Sequence, residues 1–143
     1  MRSLGLDIGD KRTGVAVSDP QGILAIPRVV IGGRDEEATL DTILKLIKEY
    51  EAECVVVGLP YSLNGHLGLQ ANKVTSFAEK LSSRAKRSDL NQVNIQLWDE
   101  RLSTIAAERL MTEAGTKRNN RKQHRDAIAA AFILQGFLDS LRR

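Results

Sequence analysis

The chain opens with three short blocks in which apolar and β-branched residues crowd together, and from Asp35 onward its apolar residues recur at helical spacing. Ser3–Gly9 and Thr13–Asp19 read as two strands joined by a turn through Asp10–Arg12, with Gly9 and Gly14 bracketing it. Asp19-Pro20-Gln21-Gly22 has the residues of a tight turn in their preferred places. A third strand, Ile23–Ile31, follows, and Pro27 within it lacks a ladder donor, which predicts an edge strand or a bulge. After Gly32-Gly33, the positions Ala38, Leu40, Ile43, Leu44 and Ile47 predict an amphipathic helix from Asp35 to about Glu51. Glu53–Leu59 is almost wholly apolar and is reached through that helix, so it reads as a parallel strand covered on both faces.

The second half repeats the alternation. Pro60–Leu69 is rich in turn formers; a helix with Val74, Phe77, Ala78 and Leu81 on its inner face comes next, then a strand over Val93–Trp98. Ser103 can cap a helix carrying Ile105, Ala106, Leu110 and Met111 and ending at Gly115. Thr116–Arg125 reads as a polar loop, and Asp126–Leu141 as a last helix with one strongly apolar side. The order β-β-β-α-β-α-β-α-α predicts an α/β fold: an antiparallel meander extended by parallel crossovers into a five-stranded mixed sheet flanked by helices. With 143 residues, no internal repeat and no linker-like stretch, residues 1–143 are expected to form a single domain.

Composition narrows the class. At 42% hydrophobic and 27% charged residues the chain is an ordinary globular one, and no apolar run approaches the ~20 residues of a membrane span. No membrane partner is therefore expected, and the first residues lack the layout of a secretory signal. The single cysteine, Cys54, sits in an apolar run, reads as core filler and suits a reducing, cytoplasmic setting. A net charge of +3 is mild. Its distribution is more telling, because Thr116–Arg125 holds five basic residues and no acid, a segment suited to a polyanion. His66 and His124 have no metal-ligand spacing, and Trp98 and Tyr61 read as packing residues.

Three acidic positions are misplaced for solvent. Asp7 lies between Leu6 and Ile8 in a strand whose neighbours are apolar, and burying a carboxylate costs several kcal/mol unless a metal, a basic side chain or backbone N–H groups meet it. Asp99 and Glu100 stand at the carboxyl end of a strand, where α/β sheets open their ligand crevices. Asp126 begins an apolar face continued by Ala130, Ile133, Phe137 and Leu141, so it projects toward the sheet. Taken singly, Asp126 is also a favourable first-turn acid and Asp99-Glu100-Arg101 also a surface ion-pair cluster. Converging, the three carboxylates would need a hard divalent cation.

The phrases LDIGDKRTGVAVSD, VVVGLP…NG, DERLST and RDAIAAAFILQ, in that order and over nearly the whole chain, resemble the YqgF family. Members are described as Holliday junction resolvases and as nucleases maturing the 5′ end of pre-16S ribosomal RNA. The resemblance implies a ribonuclease H-like fold, like that of the RuvC resolvases, with two Mg²⁺ or Mn²⁺ ions on a carboxylate cluster. Carried over by position, Asp7, Glu100 (or Asp99) and Asp126 would be the metal ligands and catalytic carboxylates. Gly58 stands where RuvC enzymes have a further glutamate. The reaction implied is phosphodiester hydrolysis, with Arg101, Lys11 and Arg12 on the phosphates beside the cut. Lys117, Arg118, Arg121, Lys122 and Arg125 would bind the nucleic acid more distantly. Expected partners are precursor rRNA or branched DNA, with a homodimer as a further possibility. Two other classes fit parts of the pattern. Asp7, Gly9, Lys11 and Gly14 also match the phosphate loop of actin-like and sugar kinases, which need a second such domain; a non-catalytic RNA-binding assembly factor would need only the basic residues.

Overall fold

The computed structural model describes residues 1–33, 35–60, 68–99 and 118–142, with the side chains of 118–124 excepted. Its sheet is built from β1 (Ser3–Ile8), β2 (Arg12–Ser18), β3 (Ala25–Gly32), β4 (Cys54–Leu59) and β5 (Asn94–Asp99), in the spatial order β3-β2-β1-β4-β5. The first three strands pair antiparallel, and β4 and β5 add on in parallel. The meander and crossovers expected from the sequence are thus present. Pro27 lies on the edge strand β3, opposite a register shift between Val15 and Ala16, so both consequences of its missing N–H occur together.

Among the described residues, three helices cover the sheet: α1 (Glu36–Tyr50), α2 (Leu69–Arg87) and α3 (Arg118–Leu141). Asp35 caps α1 by accepting from the Glu37 and Ala38 amides at 3.0 and 3.3 Å, as its place before the apolar period implies. The Asp19 turn closes through Gly22 N–H to the Asp19 carbonyl, and the Asp19 carboxylate also accepts from Ile23 and Leu24. Those amides, Leu24 first, hold the Asp19 carboxyl below its ordinary range.

Strand alternation sends two sets of side chains to opposite faces, and each face has its own core. Leu4, Leu6, Val15, Val17, Val55 and Val57 meet α1 and α2 through Leu40, Ile43, Ile47, Val74, Phe77 and Leu81. Gly5, Ala16, Cys54, Val56 and Gly58 form the other face, on which α3 lies with Ala130, Ile133, Leu134, Phe137 and Leu138. Cys54 is buried core, its thiol pushed up by burial, and Trp98 packs edge-on against Phe137 at 5.8 Å. On the outside, Lys80–Glu36 (2.6 Å) and Arg84 with Glu37 and Asp41 tie α1 to α2. None of the helices among the described residues is long and apolar enough to cross a membrane.

One expectation is corrected. The stretch from Arg118 to Arg125 is not loop but the first two turns of α3, which starts eight residues before Asp126. Arg, Lys and Gln are good helix formers, so once the apolar part is nucleated by packing, the polar residues before it continue the helix without needing a buried face. The expected helix over Ser103–Gly115 lies outside the described residues.

Candidate active site

The α3 face of the sheet carries three glycines, Gly5, Gly14 and Gly58, and their lack of side chains is what builds the site. A Cβ at Gly5 would stand 2.7 Å from Leu134 Cβ and 2.8 Å from the Ala130 carbonyl oxygen. At Gly14 it would overlap the carbonyl oxygen of Asp126 itself, and at Gly58 the side chain of Ile133. Only glycine allows the helix backbone so near the strands. The contact at Gly14 seats the Asp126 backbone directly over β2, and Gly14 is the register partner of Asp7 on β1. Asp7 shares the α3 face with Gly5 and Ser3, because side chains alternate along the strand. Two acidic residues that are 119 positions apart in sequence therefore have their backbones brought beside one glycine.

Their environments differ. Asp7 is half-buried, not buried: β1 is covered from Ser3 to Leu6 and emerges at Asp7 and Ile8, at the open end of the sheet. Of the two apolar neighbours that suggested full burial, Leu6 is buried and Ile8 is only half-buried, like Asp7 itself. Asp126, with its side chain 25% exposed, is ion-paired to Arg12, whose Nε stands 3.0 Å from Oδ2. Arg12 begins β2 on the same face as Gly14 and follows a turn closed by the Gly9 N–H on the Arg12 carbonyl at 2.9 Å. Lys11 is exposed on that turn, and Arg125 is exposed one residue before Asp126.

Asp99 falls on the other face. It is the register partner of Leu59 and shares its parity with Ile95, so it lies across the sheet from Asp7 and Asp126. Trp98, one residue earlier, is on the α3 face. Glu100, Arg101 and Lys117 lie outside the described residues, as do the side chains of Arg118, Arg121 and Lys122. Among the described residues no three metal-ligating side chains converge. Among the described residues, Asp7 and Asp126 are two of the expected carboxylates that lie on the α3 side of the sheet, and carboxylate oxygens are donors suited to a hard cation.

Arg12 as a direct partner of Asp126 was not legible in the sequence, where it read only as a phosphate contact; their separation of 114 positions hides the pairing. The Gly58 contact also gives a physical reason for the missing fourth-strand carboxylate: a side chain there would displace Ile133. A cleft of about 510 Å³ opens on the opposite side of the β1–β2 turn, lined by Gly9, Asp10, Thr13, Lys73, Ser76 and Lys80. It contains neither Asp7 nor Asp126, and its lysines are engaged by Asp10 at 3.4 Å and Glu36 at 2.6 Å.

The family model described as "RuvX: Holliday junction resolvase" matches residues 1–140. A protein of Clostridium novyi (strain NT) named "Putative pre-16S rRNA nuclease" is 45% identical over 141 residues, covering 99% of this chain and 100% of that protein. One of the same name from Clostridium botulinum (strain Hall) is 45% identical over 143 residues, covering all of both chains. Among solved structures, T. thermophilus RuvC in complex with a Holliday junction substrate is similar with a TM-score of 0.66 at 16% identity, covering 99% of this chain and 96% of that one. The fowlpox virus resolvase with Holliday junction DNA gives 0.58 at 12%, covering 100% of both. At such identities the likeness is one of fold: the five-stranded mixed sheet with flanking helices is that of the RuvC-like, ribonuclease H-like resolvases.

Proposed function

The chain belongs to the RuvX family, also called YqgF, and from that membership we propose that it hydrolyses phosphodiester bonds in structured nucleic acid at the carboxylates Asp7 and Asp126, with Glu100 as the third. The observation that carries the reading is the seating of Asp126 over Gly14, beside Asp7, at the open end of the sheet. Their oxygens are the ligands that Mg²⁺ and Mn²⁺ prefer, and a divalent cation between them would offset both charges. Asp7, Asp126 and Glu100 would hold such ions. When bound, a pair of these ions supplies an activated water and stabilises charge on the leaving oxygen.

The chain's own residues supply position. Asp7 and Asp126 act as ligands and not as nucleophiles, held by β1 and by α3 against the sheet. Lys11 and Arg12 on the β1–β2 turn, together with Arg101, are suited to the phosphates flanking the cut, where charge-assisted contacts fix the strand without reading its bases. Lys117, Arg118, Arg121, Lys122 and Arg125, the basic run that leads into Asp126, are suited to phosphates farther along the strand.

Precursor 16S rRNA, cut at its 5′ end, is the substrate we favour. Relatives with nearly half of their residues in common carry that name, whereas the junction-bound resolvases share only the fold. Branched DNA is the second reading, favoured by the family's description. The deciding experiment sets a 5′-labelled precursor rRNA fragment beside a synthetic four-way junction, with Mg²⁺ or Mn²⁺ and with EDTA. Metal-dependent cleavage of the RNA is expected, and Asp7→Asn should abolish it while folding and nucleic-acid binding persist. Cleavage of the junction alone would reverse the substrate. Binding without cleavage of either would point to an assembly factor, and full activity of Asp7→Asn would remove the carboxylate mechanism.

A further inference from the structure

Asp126 already has a cation. The Arg12 guanidinium touches Oδ2 at 3.0 Å, so a divalent cation on this carboxylate would meet a positive charge already in place. Arginine keeps its charge at any pH of interest, so it can give up the carboxylate only by moving away. Its side chain is 61% exposed, and an ion pair so open to water is weak, shifting an equilibrium by about two- to fivefold. A divalent cation on the same carboxylate carries twice the charge and repels the guanidinium. Its competitor is therefore easily displaced. Displaced, Arg12 stays at the rim: it heads β2 two residues before Gly14, the partner of Asp7, and is open to solvent where a substrate phosphate must approach.

Resting on the reading that Asp7 and Asp126 hold a divalent cation, we propose that Arg12 is a switch between two anions, exchanging Asp126 for a phosphate of the nucleic acid when the cation takes the carboxylate. The exchange couples the two ligands. Cation binding frees the arginine that holds the strand, and by reciprocity a bound strand that captures Arg12 uncovers Asp126 for the cation. With neither present, one carboxylate of the site is paired from within.

The test has two arms and needs no turnover. In the first, Mn²⁺ is titrated by calorimetry into the wild type, Arg12→Gln and Asp126→Asn, without nucleic acid. Arg12→Gln is expected to bind Mn²⁺ about two- to fivefold more tightly, the competitor being gone; unchanged or weaker binding overturns the switch. In the second, affinity for a labelled RNA duplex is measured in EDTA and in Ca²⁺, which also takes carboxylate oxygens. The gain on adding Ca²⁺ should be smaller in Arg12→Gln than in the wild type, and an equal gain overturns the transfer to phosphate. Asp126→Asn separates the two readings. If it keeps wild-type Mn²⁺ affinity, the carboxylate site itself is wrong; if it loses binding while Arg12→Gln matches the wild type, the site stands and only the switch falls.

Discussion

Asp99 and Glu100 are neighbours in sequence with opposite prospects, because a strand sends successive side chains to opposite faces. The pairing of Asp99 with Leu59 keeps that alternation intact to the end of β5 and commits Asp99 to the α1/α2 side. Glutamate at the next position has the parity of Trp98, which packs against α3. Asp99→Asn is accordingly expected to keep Mn²⁺ affinity and cleavage rate, and Glu100→Gln to lose both. The opposite result, measured on the same pair of variants, would assign the ligand to Asp99 and leave the other two carboxylates in place.

At the scale of elements, the site depends on how closely α3 approaches the sheet. Gly5, Gly14 and Gly58 give up packing area so that the helix backbone can sit where side chains normally would, and Ile133 fills the space above Gly58. Overpacking such a contact costs about 1–3 kcal/mol. Gly58→Ala should therefore be destabilised by roughly that amount in chemical denaturation. The clash is with the far end of a flexible side chain, so it can be relieved. Ile133→Val removes the offending methyl at a cost of about 0.5–1.5 kcal/mol by itself. Combined, the two substitutions should cost less than their sum. Strict additivity would show that the helix–sheet spacing, rather than this contact, absorbs the change.

For the molecule as a whole, the modest net charge of +3 matters less than where the basic residues stand. Arg118, Arg121, Lys122 and Arg125 precede Asp126 within one helix, and on the proposed reading they would meet the phosphate backbone beside the carboxylates. Replacing Lys117, Arg118, Arg121 and Lys122 together by glutamine should weaken RNA and DNA binding alike, since interactions with phosphate carry no sequence information. Every phosphate that is no longer neutralised should flatten the slope of log K against log salt by ~0.7–0.9. An unchanged slope would make this part of α3 a bystander.

Local periodicity was enough to read the strands, α1, α2 and the apolar part of α3, since burial of one face stamps its repeat directly on the residues. Pro27 even announced its edge position, because a missing N–H is a property of the residue itself. The candidate carboxylates Asp7 and Asp126 stood out as acids in apolar company. Their convergence was expected only by way of the family resemblance, and the Arg12 pairing was not expected at all. Both depend on Gly14 lying under the Asp126 backbone, a packing of segments more than a hundred residues apart that no local pattern encodes. The start of α3 escaped for the converse reason: a run of polar residues carries no hydrophobic period, and the helix it extends decides its conformation.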